Sequence, residues 1–395
     1  MNSIERKFRL LKSLGVRKSI YVWLFRLFDL FSGFYTTVKY AYEEKRWYTN
    51  IILRKEYHNQ IFEKNLSSIE KNEIKEYFAR YGLQTSYDWH QMYYSVSGIY
   101  SKEYIPENLF NLEIEPVLNN FDSLKTFSDK NLYQKLIPDD FQPKTLLRCI
   151  NGKLYSEKYE IVARDLLNAF LADKDGLYIV KQARNSFGGR NIYVIEVKDS
   201  TLYINNQETD IPEIINKCSS NFIIQYYVTQ NRLFHALNPS SLNTTRVITL
   251  RMNNNIRILS AYLKVGSKGS HVDNITSGGF GLGIDKNGKL SDYCIDSYSR
   301  RADNLPGIVK NGELAYYPYY NKIKTAVKSL HQQIPDFDII SWDMVIDIQN
   351  KPVMIEYNLK MQDSETHQLF NGPLFGDFTN NVLAEVVRRK NLKVE

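Results

Sequence analysis

Residues 341–360, SWDMVIDIQNKPVMIEYNLK, hold the densest group of side chains able to do chemistry in this 395-residue chain. DMVIDI and VMIEYN alternate and are rich in β-branched or long apolar residues, and QNKP between them reads as a turn, so a β-hairpin is predicted. Closing it with Ile348 opposite Val353 sets Asp343 opposite Asn358 and Val345 opposite Glu356. Alternate side chains share one face of a strand, so Asp343, Glu356 and Asn358 converge. Two carboxylates and an amide oxygen form a hard, all-oxygen set, suited to Mg²⁺ when nucleotide phosphates complete its shell. A slip of one residue would scatter the three, and an ordinary hairpin with solvated acids satisfies the same pattern.

Cations and glycine-rich turns elsewhere suggest an anion for this cluster to face. ARNSFGGR joins LYIVKQ (177–182) to NIYVIEV (191–197), both alternating. Gly188 and Gly189 let backbone N–H groups approach an anion closely, and Lys181 at the end of the first strand reaches the same place. The GK[ST] ending of a Walker A loop is missing and a strand follows, so the segment reads as a glycine-tipped hairpin over a triphosphate, or as a plain turn. FIIQYYV at 222–228 is either a strand whose edge meets adenine, with Gln230 or Asn231 reaching the ribose, or a buried strand. Arg246 in LNTTRVITL and Lys264 in AYLKVGS sit among apolar residues and need an anionic partner, a phosphate or a structural carboxylate. DNITSGGFGLGID at 273–285, with Asp273, Asn274, Gly278 and Gly279, either closes over substrate or makes a tight turn.

The elements that must position these residues follow a change of pattern near residue 106. Residues 1–105 read as mainly helical, with aromatic-rich YDWHQMYYSVSGIY suited to core or interface packing or to stacking on a ligand. Residues 106–175 read as a helical lead-in, with a short helix started by Ser128 or Asp129 and an amphipathic helix over 157–173. Residues 176–228 make a small strand-rich subdomain bearing the glycine flap. Residues 229–395 make a larger one with the hairpin, a helix at 321–334 and a last helix at 378–390.

Composition removes several classes. Three widely spaced cysteines without a CxxC pair argue against disulfides and structural zinc, and six scattered histidines show no zinc-protease spacing. The net charge of +7 lies wholly in residues 1–60, which hold 12 Lys/Arg and 5 Asp/Glu; the body is neutral. A nucleic-acid binder would carry its basic footprint on the folded core, so no nucleic acid is expected. VRKSIYVWLFRLFDLFSGF is apolar but broken by Arg26 and Asp29, too short to span a bilayer at roughly 20 residues, and no small-residue cleavage site follows. Its basic and aromatic residues suit an anionic membrane surface met through residues 1–35, or a helix packed on the body or a second subunit. No Ser/His/Asp or Cys/His nucleophile motif is present.

The ordered set of YIPE (104–107), SDKN (128–131), YIVKQARNSFGGRNIYVIE (178–196), IIQYYVTQN (223–231), LNPSSLNTTRVITLR (237–251), DNITSGGFGLGID (273–285) and WDMVIDIQNKPVMIEYN (342–358) resembles the ATP-grasp superfamily, and within it the sugar-transfer-associated branch of bacterial polysaccharide biosynthesis. The resemblance covers about residues 90–385. It implies an α+β fold of two subdomains clasping ATP, here behind a mainly helical, basic N-terminal region. It implies Lys130 (or Lys135) and Lys181 as nucleotide lysines, with Ser186, Gly188 and Gly189 in the flap. It implies Gln225, Tyr226 and Tyr227 as the adenine hinge, with Gln230 and Asn231 nearby. Arg246 and Lys264 are similar to the catalytic cations around the transferred phosphate, and Asp343, Glu356 and Asn358 to the Mg²⁺ ligands. Asp273, Asn274, Gly278, Gly279 and Lys360 would lie on the substrate side.

The implied reaction is ATP-dependent joining of a carboxylate to an amine through an acylphosphate, with ATP and Mg²⁺ as cofactors. The implied place is the cytoplasm or the inner membrane face. A kinase acting on a hydroxyl, or a non-catalytic nucleotide-binding scaffold, would share the nucleotide site. Three departures stand out. Leu359-Lys360-Met361-Gln362 replaces a Pro-Gly turn after E-x-N, Gln225 replaces the hinge acid, and an amide replaces the ribose acid.

Overall fold

The computed structural model describes residues 42–47, 49–184, 191–302 and 306–392. Internal contacts divide the chain into residues 1–53 and 54–395; of the first unit, the described residues 42–47 and 49–53 are helical. The basic aromatic segment expected at a membrane lies outside the described residues. Among the described residues no helix is long and apolar enough to cross a membrane.

The second unit opens with helices α1 (Ser68–Ala79) and α2 (Tyr87–Ser97). Ser67 and Glu70 cap α1 reciprocally, satisfying two end N–H groups that would otherwise lack partners. The aromatic run at 87–100 is mostly packing: Trp89 and Tyr93, with Tyr104 just beyond the run, are fully buried.

Two antiparallel sheets follow. The first contains β1 (Thr145–Ile150), β2 (Lys153–Ser156), β3 (Ile161–Val162), β4 (Gly176–Gln182), β5 (Ile192–Lys198), β6 (Thr201–Ile204), β7 (Gln207–Thr209) and β8 (Phe222–Tyr226), in spatial order β3-β2-β1-β8-β4-β5-β6-β7. Helix α3 (Ile211–Cys218) buries Ile211, Ile214 and Cys218 in this sheet's core. The second contains β9 (Thr245–Met252), β10 (Asn255–Val265), β11 (Phe280–Ile284), β12 (Leu290–Ile295), β13 (Arg301–Ala302), β14 (Ile339–Ile346) and β15 (Pro352–Asn358), in order β13-β12-β11-β10-β9-β14-β15. Helix α4 (Tyr320–Gln332) packs Ile323, Val327 and Leu330 into the core shared with β9, β10 and β14. Helices α5 (Ser364–Asn371) and α6 (Thr379–Leu392) complete the described chain, and α6 shares a core with α1.

One expected element is absent. The helix predicted over 157–173 is instead a turn with Tyr159 left-handed (φ +64°), then β3, and only Leu167–Leu171 is α-helical. Ile161–Val162 pair with β2 and place Val162 in the core of the first sheet, so tertiary packing overrides the helical spacing. The segment 106–175, expected as a helical lead-in, thus gives three strands to the first sheet.

Candidate active site

The carboxylate hairpin forms, in a different register. Its turn is Asp347–Lys351, closed by Asp347 Oδ1 accepting from the N–H groups of Gln349 and Lys351 at 2.9 and 2.8 Å. This pairs Ile346 with Pro352 and Val345 with Val353, three positions from the expected alignment. An odd shift alone would put Asp343 and Glu356 on opposite faces. A bulge at Ile355 adds one residue to β15 and restores the parity: Asp343 faces Glu356 and Ser341 faces Asn358. The three polar side chains therefore share a face, as the alternation implied, but through a bulge that the sequence pattern does not announce.

That face floors a cleft of about 700 Å³ beneath the first sheet. Ile179 and Val194 line it from β4 and β5, Tyr226, Tyr227 and Val228 from the end of β8, and Ile355 from the bulge. At the hinge, the N–H groups of Tyr226 and Tyr227 already donate to the carbonyls of Lys144 and Leu177 at 2.9 and 3.1 Å. Gln225 donates its side-chain amide to the Pro143 carbonyl. Of the hinge peptides that follow, Val228 is the next to line the cleft.

Cations meet the carboxylates at the other end. Arg246, on β9 opposite Asp343, lays Nε and Nη2 on the two Asp343 oxygens at 2.9 and 2.8 Å. Lys264, on β10, places its ammonium 3.1 Å from Asp343 and 3.7 Å from Asp273. Burial opposes a charge on Asp343, but Arg246 and Lys264 outweigh it and hold the carboxyl well below its usual range. Lys130 reaches Glu356 Oε1 at 2.8 Å; its backbone is fixed by a turn capped by Asp129, the expected helix start.

Lys181 differs from these. Its ammonium donates to the carbonyl of the bulged Ile355 at 3.2 Å, and among the described residues no carboxylate lies at ion-pair distance. Burial and the neighbouring Lys130 pull its pKa down to about 8 against the weaker pull of Glu356. A buried ammonium short of negative charge is a site for an anion. Asn358 points the same way: its amide nitrogen is buried with no hydrogen-bond partner.

The donor set fits Mg²⁺ held jointly with phosphate. Among the described residues no cluster of three or more His, Cys, Asp or Glu side chains can hold a metal by itself. Asp343, Glu356 and the Asn358 amide offer oxygen ligands only, which is the Mg²⁺ pattern when phosphate oxygens supply the rest.

The other predicted positions divide. Lys360 and Asn274 line the cleft, and the Lys360 ammonium also sits 4.9 Å from the centre of the Phe121 ring. Asp273 lines it too but is pinned, its Oδ2 accepting from both the backbone and the hydroxyl of Thr244. Gln230 and Asn231 are not among the lining residues. Gln230 bonds the backbone of Asn243 in both directions, and Asn231 caps a helical turn and bonds Asn350. The chain turns away after β8 and pairs with the 347 turn, so neither amide reaches a ribose. Gly278 and Gly279 also serve the turn. Gly278 has φ +90°, and a Cβ on Gly279 would come within 2.5 Å of the Val265 carbonyl oxygen. Lys135 lies over the Tyr159 ring. Ser186, Gly188 and Gly189 lie outside the described residues. Thr244, His271 and Glu196 line the cleft without having been anticipated. Thr244 and Glu196 fall within motifs already noted; His271 carries no sequence signal.

The profile of the sugar-transfer associated ATP-grasp family matches residues 109–383. The chain belongs to that family. No curated protein matches it by sequence. Similar solved structures include L-amino acid ligase from Bacillus licheniformis, at 11% identity over 67% of this chain and 49% of that one, TM-score 0.37. N5-carboxyaminoimidazole synthetase from Staphylococcus aureus complexed with ADP is similar at 12% identity over 62% and 48%, TM-score 0.37. D-alanine–D-alanine ligase from Bacillus anthracis is similar at 12% over 69% and 72%, TM-score 0.37. This ATP-grasp chain spans about half the length of the first two.

Proposed function

We propose that the protein is an ATP- and Mg²⁺-dependent ligase that activates a carboxylate and joins it to an amine. The observation that carries this reading is the buried Lys181 ammonium, without a carboxylate partner among the described residues, set between an apolar slot and the Asp343–Glu356–Asn358 face. A nucleoside triphosphate meets both needs: a base for the slot and anionic oxygens for Lys181. The sugar-transfer description of the family supports a glycan-linked acid, such as a uronic acid, or a glycan-linked amine, used in capsule or O-antigen assembly.

In this reading Lys130 and Lys181 bind the phosphate chain. Asp343, Glu356 and Asn358 would hold Mg²⁺, which supplies charge neutralisation on the phosphates. Arg246 and Lys264 orient and neutralise the phosphoryl group as a substrate carboxylate oxygen attacks phosphorus and ADP leaves. An amine then attacks the acyl carbon and phosphate departs. No covalent nucleophile is needed. Strands β4 and β5 line the cleft and help keep water from the acylphosphate. Residues 1–35 would hold the enzyme at an anionic membrane surface bearing lipid-linked glycan.

The test is ADP release with Mg²⁺-ATP across a matrix of uronic acids, amino acids and amines, with Glu356→Gln as control. Release that depends on both an acid and an amine, lost in the control, is expected. Release needing only a hydroxyl compound would make the protein a kinase. Absence of both release and Mg²⁺-dependent ATP binding would overturn the nucleotide site itself.

A further inference from the structure

The loop after β15 does more than end the hairpin. Met361 and Asp363 have φ of +57° and +62°, a left-handed conformation that Asp tolerates better than Met. The Asp363 carboxylate has three neighbours. Its Oδ2 accepts from the Tyr262 hydroxyl at 2.5 Å, its Oδ1 from Thr366 Oγ1 at 2.8 Å, and Oδ2 lies 3.8 Å from Nη1 of Arg246. The other two nitrogens of that guanidinium rest on Asp343. Arg246 is thus hydrogen-bonded to Asp343 on β14 through Nε and Nη2, while the loop carboxylate of Asp363 stands beside Nη1 at ion-pair distance.

Each cation beside Asp343 has a further carboxylate near it. Asp343 alone faces two cations, Arg246 and Lys264. Asp363 and Asp273 each add a negative charge, one beside each cation. Asp363 is in turn fixed from behind. The Ser364 hydroxyl donates to Glu107, and Arg54 and Ser299 donate to Glu365, so two segments that precede the sheets and the β12–β13 loop anchor the first turn of α5.

We infer that Asp363 is a positioning residue: with Nε and Nη2 of Arg246 already held by Asp343, its charge beside Nη1 steadies the remaining end of the guanidinium that faces the phosphoryl group. Its consequence for phosphoryl transfer rests on the ligase reading; the restraint itself does not.

Two readouts separate these levels. Asp363→Asn keeps the shape and removes the charge; Asp363→Glu keeps the charge. In ¹⁵N-arginine spectra of the nucleotide-free protein, with Arg246→Lys for assignment, the wild type should show resolved, slowly exchanging Arg246 Nη–H signals. Asp363→Asn should speed exchange of the Nη1–H signals while the Nε–H and Nη2–H signals, held by Asp343, persist, and Asp363→Glu should slow it again. Nη1–H signals unchanged in Asp363→Asn would overturn the inference. Should that variant fail to fold by circular dichroism, Tyr262→Phe, which frees one side of Asp363, gives the same reading: broadened Nη1–H signals support the restraint and unchanged ones refute it.

The second readout is affinity for Mg·ADP with and without aluminium fluoride, a mimic of the phosphoryl group in flight. Asp363→Asn should bind Mg·ADP like the wild type but the fluoride complex roughly tenfold more weakly, the scale of one charge-assisted contact. Equal weakening of both, or of neither, refutes the role in phosphoryl transfer. Failure of the wild type to bind Mg·ADP would instead sink the ligase reading, and the arginine spectra would still decide the restraint.

Discussion

Lys181 makes the nucleotide site testable through protons. In the empty site its pKa falls from the ordinary 10.5 to about 8, chiefly by burial, a penalty of about 3 kcal/mol on the charged form at about 1.4 kcal/mol per pKa unit. Bound phosphate oxygens should relieve that penalty and return the pKa toward 10.5. The sign follows directly. Below pH 8 the lysine is charged before and after binding, and affinity is flat. Above pH 8 the empty site has lost the proton, so binding must recover it, and affinity should fall about tenfold per pH unit between roughly pH 8 and 10. At pH 9 titration calorimetry of Mg·ADP in buffers of differing ionisation enthalpy should record uptake of about nine-tenths of a proton. Lys181→Met should bind weakly at every pH with no proton uptake.

The same group acts oppositely on the empty fold. Between pH 8 and 10.5 the unfolded chain holds a proton that the folded one lacks, so this group's destabilisation fades as pH rises. Lys181→Met should therefore raise the melting temperature of nucleotide-free protein at pH 7 while weakening nucleotide binding. A pH-independent Mg·ADP affinity from pH 7 to 9.5, or an identical profile in Lys181→Met, would refute the reasoning.

Four further outcomes are expected. Deleting Ile355 removes the bulge but leaves Glu356 opposite Asp343, while it takes away the bulged carbonyl that receives the Lys181 ammonium, so the protein should stay folded by circular dichroism and keep the carboxylate face yet bind Mg·ADP more weakly in calorimetry. Gly279→Ala drives a Cβ to within 2.5 Å of the Val265 carbonyl oxygen, so the melting temperature should drop by the equivalent of about 1–3 kcal/mol; a loss of substrate affinity with unchanged melting would instead return Gly279 to the substrate side. Burial, with Glu365 nearby, pushes the Glu107 carboxyl up to about 7, so its proton favours the folded state below that pH and the benefit is lost as pH rises through 7. Glu107→Gln should flatten that part of the stability profile in urea melts. Removing residues 1–35 should abolish salt-sensitive binding to anionic vesicles in flotation assays, and unchanged partition would discard the membrane arm.

Much of the site was legible because β-strand chemistry is local. Alternation alone placed Asp343, Glu356 and Asn358 on one face, and the apolar context of Arg246 and Lys264 announced that each needed an anion. The family resemblance, carried by the order of weak motifs, agreed with the matched profile over residues 109–383. What failed was whatever depended on a partner strand. The helix expected over 157–173 yielded to pairing with β2, and Gln230 and Asn231 were drawn to the 347 turn.

The sequence by itself therefore determined which side chains are present, the strand periodicity that groups them, and a neutral body with a basic N-terminal arm. Tertiary structure alone decided the register. A turn closed by Asp347 shifted the hairpin by an odd number, and a bulge at Ile355 restored the face. It also decided that Lys181 would be buried beside Lys130 without a carboxylate, and that Arg246 would be held by Asp343 with Asp363 beside it. Periodicity is set by each residue's own backbone, whereas register, burial and charge pairing depend on groups far away in the chain, 226 residues apart for Lys130 and Glu356.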